Sequence, residues 1–124
     1  MKKVLATEKA PAAIGPYSQA VRGGDYVYVS GQLPIDPATG AFAGEDIAAQ
    51  TKQSLTNIKA ILESEGLSMA NVVKTTVLLQ NIGAMNEVYA TFFEGACPAR
   101  AAFEVAALPK AALVEIEAIA YCGE

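Results

Sequence analysis

Histidine is absent from this 124-residue chain, and that absence removes several chemistries at once. No Ser-His-Asp or Cys-His nucleophile can form, no histidine-ligated zinc site and no imidazole acid–base pair. Any catalysis must run on carboxylates, tyrosines, lysines, backbone groups or water. Cysteine is scarce too, with only Cys97 and Cys122. Without a secretory signal, two cysteines read as reduced thiols rather than a disulfide framework. Such a signal needs an apolar run of about 7–15 residues behind a basic start. Here Met1-Lys2-Lys3 is followed only by Val4-Leu5-Ala6 before Thr7-Glu8-Lys9 interrupts. No apolar run approaches the ~20 residues that span a bilayer. Basic residues are the minority, nine against thirteen acidic, for a net charge of −4. Nucleic acid matches that balance poorly, because phosphate binding relies on a clustered basic surface. The expectation is a cytoplasmic protein without membrane or nucleic-acid partners.

What the chain does have is apolar surface. Apolar residues make up 52%, and ten glycines bring the share to about 60%, above the ~45–50% usual for a globular domain. A small domain has limited interior, so the excess predicts burial against other subunits, with an alanine-rich monomer as the alternative. One domain spanning residues 1–124 is expected at this length.

Local patterns give the elements. Residues 10–16, with two prolines and a glycine, read as loop. Tyr26 to Ser30 is β-branched and aromatic and reads as a strand ending at Gly31. Asp46 can cap a helix whose apolar positions Ile47, Leu55, Ile58, Ile61 and Leu62 share one face, with Gly66 as its stop. Val72 to Leu79 is a second strong strand. A shorter helix is expected over Met85 to Phe93, with Met85, Val88, Tyr89 and Phe92 inward. Two further strands are expected near 101–107 and 113–121. Strands and helices mix without strict alternation, so the fold class is α+β, with helices on one face of a mixed sheet.

Three charges stand in the last quarter of the chain, where the rest reads as buried strand. Arg100 follows Pro98-Ala99, and Glu115 and Glu117 alternate with Val114, Ile116 and Ala118. Ionised groups are costly away from water unless paired or hydrogen-bonded. Alternation puts both glutamates on one face, about 6–7 Å apart. There each raises the other's pKa unless a cation intervenes, or else both simply meet water. The planar fork of Arg100 suits a small carboxylate; an ion pair with either glutamate is the competing reading. Ser30-Gly31 allows close backbone approach to a ligand, although a plain turn would look the same. Tyr17 offers a hydroxyl in the Gly15-Pro16 loop, or merely packs.

With these residues in view, the chain resembles the RidA (YjgF) family of enamine/imine deaminases along essentially its whole length. The motifs are Ala13-Ile14-Gly15-Pro16-Tyr17-Ser18-Gln19, Val29-Ser30-Gly31-Gln32 and Val73-Lys74-Thr75-Thr76-Val77. They continue with Pro98-Ala99-Arg100, Phe103, Leu108-Pro109-Lys110 and Val114-Glu115-Ile116-Glu117-Ala118. The resemblance implies a chorismate-mutase-like fold and a homotrimer with clefts between subunits. It also implies hydrolysis of 2-imino acids such as 2-iminobutanoate and 2-iminopropanoate to 2-oxo acids and ammonia, sparing pyridoxal-phosphate enzymes from these reactive products. Arg100 would then bind the substrate carboxylate and Glu115 would handle water and protons. Tyr17, Ser30, Gly31 and the backbone at Ala102 would line the pocket, with Asn86 at its rim. No cofactor or metal is implied, because an imine carbon is already electrophilic. Two departures stand out. Ala102 occupies a position where many members carry cysteine, and Gln80 to Met85 is shorter than the usual family loop. The other classes of function open to this sequence are a trimer that binds 2-oxo acids without turnover, and a chaperone-like or RNA-cleaving role.

Overall fold

Asp46 opens the main helix as its position in the sequence predicts, and the computed structural model, which describes residues 2–80 and 85–123, shows how. Its carboxylate accepts from the Ala49 amide at 2.7 Å, satisfying one of the donors that a helix start leaves free. Helix α1 runs Ile47–Glu63. Gly66, at φ +77°, turns the chain back so that the Leu67 amide reaches the Leu62 carbonyl at 2.9 Å. Leu55, Ile58, Ile61 and Leu62 are fully buried, each such side chain contributing about 1.5–3 kcal/mol.

The helix lies on a six-stranded sheet of order β1-β2-β3-β6-β4-β5. Its strands are β1 Lys3–Leu5, β2 Ala20–Gly23, β3 Tyr26–Gln32, β4 Val72–Leu79, β5 Ala99–Glu104 and β6 Val114–Tyr121. All neighbours are antiparallel except β4 and β5, which run parallel. Val27, Val29, Val77, Leu79, Val114, Ile116, Ala118 and Ala120 fill the helix-facing side. The opposite side carries Tyr28 and Phe103, 50% and 53% exposed, and no described element of this chain covers them. The α+β class and the placement of helices on one sheet face agree with the sequence.

Several boundaries differ. Strand β3 does not stop at Gly31; it continues to Gln32 through a bulge at Ser30-Gly31, between the Val29–Ala118 and Gln32–Ile116 pairs. The second helix, α2, is only Asn86–Ala90, and Phe93 is more deeply buried than Phe92. β5 begins at Ala99, earlier than expected, because parallel pairing with Lys74 to Leu79 of β4 fixes its extent. β1 and β2 were not legible in the sequence, being too short to show alternation. The shortened segment centres on residues 81–84, outside the described residues. Cys97 and Cys122 are free thiols.

Candidate functional site

Arg100 owes its surroundings to sheet register. It pairs with Thr75 of β4, and side-by-side residues in a sheet point to the same face. Thr75 is 1% exposed and faces the helices; Arg100 therefore also leans toward α2. There its Nη1 donates to Asn86 Oδ1 at 2.7 Å, and its guanidinium carbon stands 5.1 Å from the centre of the Tyr89 ring. The Tyr89 hydroxyl and Thr75 Oγ1 share a buried hydrogen bond of 2.7 Å. Burial pushes the Tyr89 phenol up, so it stays a neutral partner at physiological pH. Ala102 shares this face and packs at the edge of the core. Asn86, expected only at the rim of a pocket, is a direct partner of the arginine.

Glu115 sits elsewhere. It pairs with Leu78 and points away from the helices, between the fully buried Val114 and Ile116. It is half-buried while Glu117, on the same face, is exposed. Desolvation, then the nearby Glu117 charge, raises its pKa above the ordinary 4.5. The bulge explains why Gly31 stands opposite. A Cβ built at Gly31 would fall 2.6 Å from Glu115 Oε2, so any side chain there would force the carboxylate to shift from this position. Ser30 ties this bulge to the Tyr17 loop: its amide donates to the Gln19 carbonyl at 3.0 Å and its hydroxyl to the Ser18 carbonyl at 2.6 Å. The Gln19 side chain is buried and secures the loop in turn. Its amide nitrogen donates to the carbonyls of Thr7, Ala10 and Pro11, and its oxygen accepts from the Thr7 amide. Tyr17 rides on that loop, 54% exposed.

The chain thus gathers the candidates into two groups. Arg100, Asn86 and Ala102 stand on the helix side near the β5 edge; Glu115, Gly31, Ser30 and Tyr17 stand at the bulge, with Glu115 on the opposite face. Arg100 and Glu115 are two strands and three residues apart, roughly 14 Å between Cα atoms from standard sheet spacings. The ion pair between them does not form: among the described residues the salt bridges are Lys3–Glu65 and Arg22–Glu65. The sequence placed Tyr89 inward and Thr75 and Gln19 within motifs but gave none of them a role at the site. A tyrosine inside an apolar helix looks like packing, and nothing local shows that its hydroxyl meets a threonine from another strand.

Comparison with known proteins gives this arrangement a context. The family described as endoribonuclease L-PSP matches residues 7–122. The chain belongs to the endoribonuclease L-PSP family, which is the RidA/YjgF family. Within it, a Pyrococcus horikoshii RutC family protein is 54% identical over 124 residues, covering 98% of both chains. The mouse 2-iminobutanoate/2-iminopropanoate deaminase is 51% identical over 126 residues, covering 99% of this chain and 92% of the relative. Among solved structures, Escherichia coli TdcF with bound serine superposes at a TM-score of 0.93, with 42% identity and 98% and 99% coverage. The E. coli YjgF gene product superposes at 0.92, with 48% identity and 96% and 98% coverage. The family likeness therefore extends through both groups of residues.

Proposed function

We propose that this protein hydrolyses small 2-imino acids, the 2-iminobutanoate and 2-iminopropanoate class, to 2-oxo acids and ammonia. The observation that carries this reading is the Arg100 guanidinium, held by Asn86 and Tyr89 yet facing no carboxylate of its own among the described residues. An arginine held in that way is ready for a substrate carboxylate. The deaminase name of relatives at about 50% identity and the bound serine in TdcF support it.

The two groups of residues then call for a second copy. Three chains assemble with a chorismate-mutase-like fold around the uncovered sheet faces that bear Tyr28 and Phe103, and each cleft takes Arg100 from one copy and Glu115 from the next. Arg100 binds the carboxylate. Glu115, whose pKa burial raises above the ordinary carboxylate value, takes a proton from water as the water oxygen bonds to the imine carbon and the C=N electron pair moves to nitrogen. It returns that proton to the nitrogen, giving a carbinolamine; it then moves the hydroxyl proton to the nitrogen as the C=O bond forms and the C–N bond breaks, and ammonia leaves. Tyr17, Ser30, Gly31 and Ala102 line the cleft, with Asn86 at its rim. The imine carbon is itself electrophilic, so the chemistry requires no metal or cofactor. The protein works in the cytoplasm, where it limits damage by imines to pyridoxal-phosphate enzymes. No described helix is long and apolar enough to cross a membrane.

An amino-acid oxidase or a serine/threonine dehydratase can supply the imine, with semicarbazide as the competing trap. The wild-type protein should speed loss of the imine; Arg100→Ala should abolish the effect with assembly intact. Glu115→Gln should still bind 2-oxobutanoate but lose about 100-fold or more in turnover. Saturable 2-oxobutanoate binding without any acceleration would instead establish a binding module.

A further inference from the structure

An exposed arginine is not a ready-made binding site. Its long side chain has many rotamers, and ordering it on ligand binding weakens affinity. Arg100 is exposed, so its own burial cannot order it. What can is the surface beneath it. Tyr89 is 6% exposed, its ring packs against Phe93 at 4.8 Å, and its hydroxyl is bound to Thr75, which is 1% exposed. Thr75 is also the register partner of Arg100. The contacts therefore close a ring: the strand position that sets the backbone of Arg100 also sets the tyrosine on which its guanidinium rests. Asn86, three residues before Tyr89 on α2, takes Nη1 from the side. Of the five N–H groups of a guanidinium, those along the Nε–Nη2 edge remain for a carboxylate.

We propose that Tyr89 is a positioning residue for the carboxylate site: its ring, held by Thr75, fixes the plane and direction of the Arg100 guanidinium. The proposal rests on Arg100 as the carboxylate-binding residue. It adds that affinity depends on a residue that need never touch substrate. The aromatic face matters most and the hydroxyl serves it. Phenylalanine should therefore largely replace tyrosine, whereas an aliphatic side chain of similar volume should not.

The test measures 2-oxobutanoate binding by calorimetry and KM and kcat in the imine assay, with the ligand-free Arg100 Nε–H resonance followed by NMR. For Tyr89→Leu, Kd and KM should rise about 5- to 30-fold, kcat should stay within about twofold, and the ring-current shift of the Nε–H signal should vanish. Tyr89→Phe, which keeps the ring and loses only the Thr75 hydrogen bond, should raise Kd by about 2- to 5-fold and leave kcat within about twofold. Thr75→Val, which frees the ring while keeping the strand, should raise Kd by about 2- to 5-fold; it carries the test where Tyr89→Leu does not fold. Unchanged affinity in Tyr89→Leu, or equal losses in the Phe and Leu variants, would overturn the role of the ring. Wild-type protein that binds no 2-oxobutanoate would overturn the reading of Arg100, and the proposal with it. That outcome is distinct, since the others leave wild-type binding intact.

Discussion

The Arg100 corner and the Glu115 corner belong to one sheet and treat charge in opposite ways. Around Arg100 the polar groups are partnered: Asn86 holds the guanidinium edge, Tyr89 its face, and Thr75 holds Tyr89. Around Glu115 the sheet removes water and sets a second carboxylate nearby, so ionisation is disfavoured. Prebuilt partners suit a group that must bind an ion in one orientation. A disfavoured charge suits a group that must take up and release a proton. Each corner also faces its own side of the sheet, so neither completes the other within one chain.

The sharpest way to break this comparison is to damage the corners separately and then mix the chains. Arg100→Ala and Glu115→Gln should each be nearly inactive alone. If a working cleft draws one corner from each of two copies, unfolding and reassembling the variants together at equal amounts should restore about a quarter of wild-type activity, as random assembly predicts. No recovery in assembled mixtures would place both corners in the same chain's site.

A smaller perturbation touches the bulge alone. Gly31→Ala would drive a methyl into the Glu115 carboxylate. Turnover should fall by about 10- to 100-fold, in line with a displaced catalytic group, while 2-oxobutanoate affinity changes little. Loss of affinity with turnover preserved would reverse the roles assigned to the two corners.

The smallest effect concerns stability. A carboxylate whose folded pKa is raised favours the native state only when protonated, so its contribution declines as pH rises from the unfolded pKa through the folded one. Glu115→Gln should therefore stabilise the protein modestly near pH 7, with the advantage closing below about pH 4.5, the ordinary value. Glu65 makes the contrast. Hydrogen bonds from Lys3, then Arg22, lower its pKa, so its contribution is present at neutral pH and fades as the solution is acidified. Glu65→Gln should weaken the protein near pH 7, and thermal melts of the two variants across pH should move in opposite directions.

Much of the fold was readable because its signals are local. A capping aspartate, a 3.6-residue apolar face and a left-handed glycine each act within a few residues, so α1 could be placed from Asp46 to Gly66. Alternation within one strand is equally local, so the sequence alone put Glu115 and Glu117 on the side away from Val114 and Ile116. Recurring motifs carried the family and its candidate residues. Tertiary structure alone decided how those residues stand to one another. Side-chain parity is set inside a strand, but the relation between strands depends on register, and here on the parallel pairing of Arg100 with Thr75 and the bulge at Ser30-Gly31. One residue's slip would send a side chain to the other face. The same long-range register brought the Tyr89 hydroxyl to Thr75 and its ring beneath Arg100, because contacts between separate elements leave no periodic trace in the sequence.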